Sequence, residues 1–201
     1  MINNKKIYTF IFARGGSKAI KKKNLIDICG KPLIKYTFDL IKKIPEIDKT
    51  FVSTDDDEIA TFAIENEIEV IKRPDELARD ESNEWDSWKH AVEYLKNRGE
   101  YFDIFVSLPA TSPLREKKDV YASIKKLEKN CDCVISVTEA NRNPWFNMVK
   151  CNSDGYYELV NGSSTRITRR QSAPEVFDMT TVSYVTTPKY IESSSGIFDG
   201  K

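Results

Sequence analysis

Residues 13–24 read Ala-Arg-Gly-Gly-Ser-Lys-Ala-Ile-Lys-Lys-Lys-Asn, two adjacent glycines among five basic side chains. Consecutive glycines let main-chain N–H groups converge on an anion without interference from Cβ atoms. Ser17 adds a hydroxyl, and Arg14, Lys18 and Lys23 add positive charge. Such a mixture of directional donors and cations suits the oxygens of a triphosphate. A wet surface loop with solvated lysines is the alternative, and position decides between them. The loop directly follows Ile7 to Ala13, an apolar run of the kind found in strands covered on both faces. The common glycine fingerprints do not apply. G-x-G-x-x-G is absent, and a P-loop ending at Gly30-Lys31 would need glycine at Leu25 and a hydroxyl residue at Pro32.

The elements that must position this loop follow from periodicity. After Pro32, Leu33, Ile34, Thr37, Phe38, Leu40, Ile41 and Ile44 recur at helical spacing, and Pro45 stops the pattern. Thr50 to Ser53 predicts a second strand, and the acidic run Asp55 to Asp57 leads into a helix, with Asp55 expected to cap it. Val70-Ile71 predicts a third strand closed by Arg73-Pro74. Ser82 or Asn83 caps a helix whose apolar stripe is Trp85, Trp88, Val92 and Leu95, both tryptophans reading as core and His90 as structural. Phe102 to Leu108, a helix marked by Val120, Ile124 and Leu127, and Cys133 to Val137 complete the alternation. This order implies an α/β fold with a mainly parallel sheet, binding ligands at the strands' carboxyl ends. From about Asn141 to Asp178 the alternation lapses into scattered aromatics, Asn161-Gly162 and Arg166, Arg169 and Arg170, read as a hairpin-like excursion. Strand character returns at Thr181 to Thr187.

The bulk composition narrows the function classes. Lys plus Arg and Asp plus Glu both number 31 in 201 residues, so the net charge is zero. That balance argues against a general nucleic-acid or membrane-surface binder, and the basic loop is a local feature. Cys29, Cys131, Cys133 and Cys151 form no C-x-x-C pair, and with one histidine a zinc site is not expected. Reduced thiols point to the cytoplasm. Ile7 to Ala13 meets Arg14 where a signal peptide would be cleaved, so a buried strand is the better reading.

Several motifs together resemble the CMP-sialic acid synthetases (acylneuraminate cytidylyltransferases). Ala13-Arg14-Gly15-Gly16-Ser17-Lys18, Ile20 and Lys23-Asn24 resemble that family's opening pattern, followed by Gly30-Lys31-Pro32-Leu33-Ile34. Val52-Ser53-Thr54-Asp55, Arg73-Pro74 with Glu76-Leu77-Ala78 and Asp80, and Thr111-Ser112-Pro113-Leu114-Arg115 come next in order, with a weaker echo at Arg169-Arg170-Gln171. The resemblance implies a three-layer, Rossmann-like sheet of the nucleotide-diphospho-sugar transferase type. It implies a cytidylyltransferase that joins CTP to a nine-carbon α-keto acid sugar, releasing pyrophosphate with the help of Mg²⁺. Carried over, Arg14, Gly15, Gly16, Ser17, Lys18 and Lys23 hold the triphosphate, with Lys23 and Arg14 at the reacting phosphate. Asn24 contacts the nucleoside, Arg73 the cytosine, and Arg169, Arg170 and Gln171 the acidic sugar. Residues 141–178 correspond to a dimerisation segment, implying a homodimer.

Three departures qualify the resemblance. Ser107-Leu108-Pro109-Ala110 fills a stretch where related enzymes carry a glutamine, and Asp178 stands where an arginine is expected near the sugar carboxylate. A Kdo-type or other keto-sugar is therefore the alternative substrate, and a non-catalytic nucleotide-binding module the alternative class. The family's acidic D-x-D metal segment is also missing before Lys201. The expectation is a single domain over 1–201, truncated at its C-terminus, with metal ligands unknown.

Overall fold

The computed structural model describes residues 4–18, 20–128, 130–162 and 167–201, and Arg166 of the excursion lies outside them. In chain order the elements are β1 (Ile7–Phe12), β2 (Asp27–Ile28), β3 (Lys31–Pro32), α1 (Leu33–Ile41), β4 (Lys49–Thr54), α2 (Asp57–Glu65), β5 (Glu69–Lys72) and α3 (Glu84–Asn97). They continue with β6 (Ile104–Ser107), α4 (Lys117–Lys126), β7 (Cys133–Glu139), β8 (Val149–Cys151), β9 (Tyr157–Leu159), β10 (Phe177–Thr186) and α5 (Pro188–Ser193). Two compact units result, Met1–Ser136 with Thr181–Lys201, and Val137–Thr180.

In the larger unit β1 sits inside a sheet ordered β5-β4-β1-β6-β10-β7. β1 pairs parallel with β4 and β6, and β4 parallel with β5. β10 runs antiparallel to β6, with Tyr184 opposite Ser107. Period-two alternation splits β1 between two cores. Ile7 and Ile11 join an aliphatic cluster with Ile34, Phe38, Ile59 and Val120 from α1, α2 and α4. Tyr8 and Phe10 join an aromatic cluster with Phe51, Phe105, Trp85 and Trp88, completed by Tyr190 and Ile191 of α5. Helices thus cover both faces, in three layers, and a strand buried on both sides needs the unbroken apolar run of β1.

Local signals explain the helix starts. Asp56, not Asp55, caps α2, its side chain accepting from Ile59 N–H at 2.9 Å. Asn83 rather than Ser82 caps α3, accepting from Trp85 N–H at 3.0 Å. Pro32 sits one position ahead of α1, which ends at Ile41, before the Pro45 stop. α5, absent from the sequence expectation, is capped by Thr187 with Pro188 in its first turn. No helix among the described residues is long and apolar enough to cross a membrane.

The smaller unit holds the β8–β9 hairpin, paired with Val149 opposite Leu159. Its turn lies at Asn152–Tyr156. The Asn152 side chain accepts from Asp154 and Tyr156 N–H groups at 3.1 and 2.9 Å, and Gly155 takes the left-handed φ of +84° that such a turn needs.

Arg115 stabilises the larger unit from within. It is buried, and burial pulls its guanidinium down to about 10. Its donors reach the carbonyls of Val182, Pro109 (2.6 Å) and Thr181 (3.2 Å), tying the segment after β6 to β10. Replacing it by methionine keeps the volume but strands those carbonyls. Urea unfolding of Arg115→Met should show a loss of roughly 2–4 kcal/mol. A loss under about 1 kcal/mol would mean that water or other donors satisfy them.

Candidate functional site

Parallel pairing brings the segments that follow β1, β5 and β6 to one edge of the sheet, where open α/β sheets place ligands. A cleft of about 350 Å³ opens there, lined by Arg14, Ser17, Lys23 and Asn24 after β1, Arg73 after β5, and Pro109 to Thr111 after β6. Five of the eight residues expected to bind the nucleotide thus meet in one cavity. Gly15, Gly16 and Lys18 do not line it.

The two glycines play different parts. Gly15 N–H donates to Asp55 Oδ1 at 3.1 Å, so one of the amides expected to face an anion is already held by a carboxylate. A Cβ on Gly15 would collide with the Asp56 carboxylate, the cap of α2, while Gly16 has nothing within 4 Å. Ser17 N–H turns back to Gly15 C=O at 2.9 Å. At the far end of the loop Lys22 takes a left-handed φ of 51°, entering a single 3₁₀ turn at Lys23–Leu25. Asn24, buried there, donates from Nδ2 to Arg14 C=O at 3.1 Å and pins the loop across its base. Asn24 is thereby both a loop brace and part of the cleft wall.

Charge in the cleft is partly paired internally. Arg14 donates to Arg79 C=O at 2.9 Å and meets Asp80 Oδ1 at 3.0 Å. Lys18 meets Asp80 Oδ2 at 2.5 Å. Lys18 and, with it, Arg14 hold the Asp80 carboxyl below its ordinary range, against the opposing effect of partial desolvation. Lys23 has no ion-pair partner among the described residues. Arg73 is buried at the back, where burial pulls its guanidinium down while Asp55 and Glu84 oppose that shift. It donates from Nε to Ser53 Oγ at 3.2 Å and from a terminal nitrogen to Ser53 C=O at 2.7 Å, and lies 5.7 Å from the Phe12 ring centroid.

Sequence reasoning missed Glu84, Ser87 and Tyr184, which also line the cleft. Glu84 and Ser87 lie three residues apart on α3 and share a helix face, a spacing visible in the sequence once α3 is known to border the site. Glu84 accepts from the Trp88 indole N–H at 3.2 Å, and desolvation in its recess raises its carboxyl above the usual range. The residues assigned to the sugar lie in the smaller unit. Arg170 and Gln171 line a recess of about 270 Å³ with Arg142 and Asn143, and Arg170 donates to Ala140 C=O at 3.1 Å. Arg169 does not line that recess.

A cytidylyltransferase family model matches residues 9–189. Post-translational flagellin modification protein B of Campylobacter coli is 33% identical over 197 residues, covering 94% of this chain and 80% of the relative. An N-acylneuraminate cytidylyltransferase of Escherichia coli O18:K1:H7 is 32% identical over 140 residues, covering 68% of this chain but only 32% of the relative. CMP-N,N'-diacetyllegionaminic acid synthase of Campylobacter jejuni is 30% identical over 193 residues, covering 94% of this chain and 80% of the relative. Among solved structures, a CMP:2-keto-3-deoxy-manno-octonic acid synthetase complexed with CTP shares the fold, with TM-score 0.67, 18% identity, and coverage of 93% of this chain and 76% of that one.

The contrast between the glycines is measurable. Gly15→Ala must displace Asp56 and weaken the α2 cap, at about 1–2 kcal/mol in urea unfolding. Gly16→Ala should change stability by no more than about 0.5 kcal/mol. Equal costs at both positions would contradict this geometry.

Proposed function

From the premise that this chain belongs to the cytidylyltransferase family, we propose that it couples CTP to an acidic keto-sugar, giving a CMP-sugar and pyrophosphate. The chain is a nucleotidyltransferase. The single observation that carries the reading is the convergence of Arg14, Ser17, Lys23, Asn24 and Arg73, from segments distant in sequence, on one cleft. A nine-carbon, sialic acid-like sugar is favoured by the names of relatives that act on N-acylneuraminate and diacetyllegionaminic acid.

In the proposed reaction the sugar's anomeric hydroxyl attacks the α-phosphorus. An O–P bond forms as the hydroxyl proton is lost to water, the bond to the β-phosphate bridging oxygen breaks, and pyrophosphate leaves. Such chemistry asks for positioning and charge stabilisation rather than covalent side-chain work. Arg14 and Lys23 are the cations proposed at the reacting phosphate, and Ser17 and Lys18 complete the triphosphate grip with the loop amides. For Arg14 and Lys18 this means exchanging the Asp80 carboxylate for phosphate oxygens. Lys23, without such a tie among the described residues, is poised to meet the charge that builds up as the bridging bond breaks. Asn24 is proposed at the ribose and Arg73 at the base, its guanidinium held from behind by Ser53.

Arg170 and Gln171, with Arg169, are proposed to meet the sugar's carboxylate, a task that suits a forked guanidinium. Mg²⁺ is proposed as the companion of CTP. Among the described residues no group of three or more His, Cys, Asp or Glu is arranged to hold a metal ion, and no step above passes through one. A homodimer working in the cytoplasm completes the proposal. Support for the dimer comes from Tyr156, Tyr157, Val149 and Met179, large apolar side chains exposed on the smaller unit.

Pyrophosphate release from CTP, assayed against a panel of eight- and nine-carbon keto-acid sugars, tests the reaction. Turnover with at least one such sugar is expected, and release without sugar dependence would refute it. Lys23→Ala should lower kcat by about 100-fold or more while leaving the fold intact, and a near-normal rate would remove Lys23 from the reacting centre. Light scattering at micromolar concentration should return twice the chain mass, and a monomer mass would overturn the dimer.

A further inference from the structure

Arg73 and Glu84 place a fixed positive and a fixed negative group in the wall of one cleft. Each is anchored from behind. Arg73 is held by two bonds to Ser53, and Glu84 by the indole of Trp88, itself only 2% exposed in the aromatic core. Neither side chain can swing away without breaking a bond to a buried partner. Phe12 contributes an apolar face beneath the Arg73 guanidinium. One turn along α3, Ser87 is almost wholly buried and lines the same cleft.

The arrangement offers donors on one side and an acceptor-only group on the other. The Watson–Crick edge of cytosine is the complement. Its exocyclic amino group donates, and its ring nitrogen and 2-carbonyl accept. Uracil carries a carbonyl oxygen in place of the amino group, which would face a carboxylate with no donor between them. Two acceptors facing each other form no hydrogen bond and repel.

We propose that Glu84 accepts the exocyclic amino group of cytosine while Arg73 donates to its acceptor edge, making Glu84 the residue that sets the preference for CTP over UTP. The inference rests on the proposed use of CTP. Glu84 is a specificity residue that touches the base and not the reacting phosphate, so its effect appears in nucleotide choice and not in the chemical step.

Equilibrium binding by calorimetry tests it with three nucleotides: CTP, UTP, and the triphosphate of the pyrimidin-2-one riboside, which is CTP lacking only the amino group. The folded wild-type chain should bind the two nucleotides without the amino group at least about tenfold more weakly than CTP, as expected for loss of a hydrogen bond to a charged group. In Glu84→Ala the three should bind within about twofold of one another. Glu93→Gln, on the same helix and outside the cleft, should keep the wild-type ranking. Wild-type indifference to the amino group overturns the inference without recourse to any variant, and so does an unchanged ranking in a folded Glu84→Ala. If the wild type binds none of the three, the proposed use of CTP falls together with the inference; a CTP-binding wild type with an unaltered ranking sinks the inference alone.

Discussion

The backbone hydrogen bonds that hold β4, β1 and β6 parallel set the geometry on which everything else depends. Because those strands run the same way, their carboxyl ends share an edge, and the segments leaving them must face one another. The glycine-basic loop leaves β1 at Ala13, whose N–H donates to Ser53 C=O at 3.0 Å, so the start of the loop is an extension of the ladder. Ser53 then accepts from Arg73, and Arg73 N–H donates to Thr54 C=O at 2.8 Å. One residue of β4 therefore fixes both the exit of the glycine-basic loop and the cation at the back of the cleft. Packing on both faces of the sheet makes that fixture stiff. A strand with Ile7 and Ile11 in one core and Tyr8 and Phe10 in the other cannot slide by a residue without exchanging the two sets.

On this scaffold several of the loop's polar groups are paired with carboxylates from elsewhere in the chain. A loop carrying Arg14, Lys18 and Lys23 close together would repel itself if bare, and carboxylates from elsewhere in the chain relieve that. Asp80 takes Arg14 and Lys18, and Asp55 takes the Gly15 amide. These pairs are at the surface and individually weak. The basic loop thus has acidic counterparts in the fold, within a chain of zero net charge.

How far the sequence reveals this depends on how local each cause is. β1 and the loop after it are legible because a continuous apolar run followed by glycines and cations is a contiguous signal. α1 and α3 are legible from helical spacing of apolar residues. Distances in the chain hide the rest. Asp80 reads as one residue of a motif, and only folding brings it to cations more than sixty positions earlier. Asp55 and Asp56 are indistinguishable as caps until the turn after β4 aims one at Ile59 and the other at Gly15. Arg115 resembles an ordinary charged residue in a proline-rich loop, yet it is buried among carbonyls from β10. α5 spans six residues, too few for a periodic pattern, although Thr187-Pro188 is a readable start. Glu84 looks like a routine acidic first-turn residue, and its standing as a cleft wall follows from α3 packing over the aromatic face.

The most direct test of the central claim is a crystal structure of the chain soaked with CTP. The triphosphate is predicted within hydrogen-bond reach of Arg14 and Lys23, with the base against Arg73 at the back of the same cleft. Nucleotide density elsewhere on the chain, with the Asp80 pairs to Arg14 and Lys18 undisturbed, would contradict it.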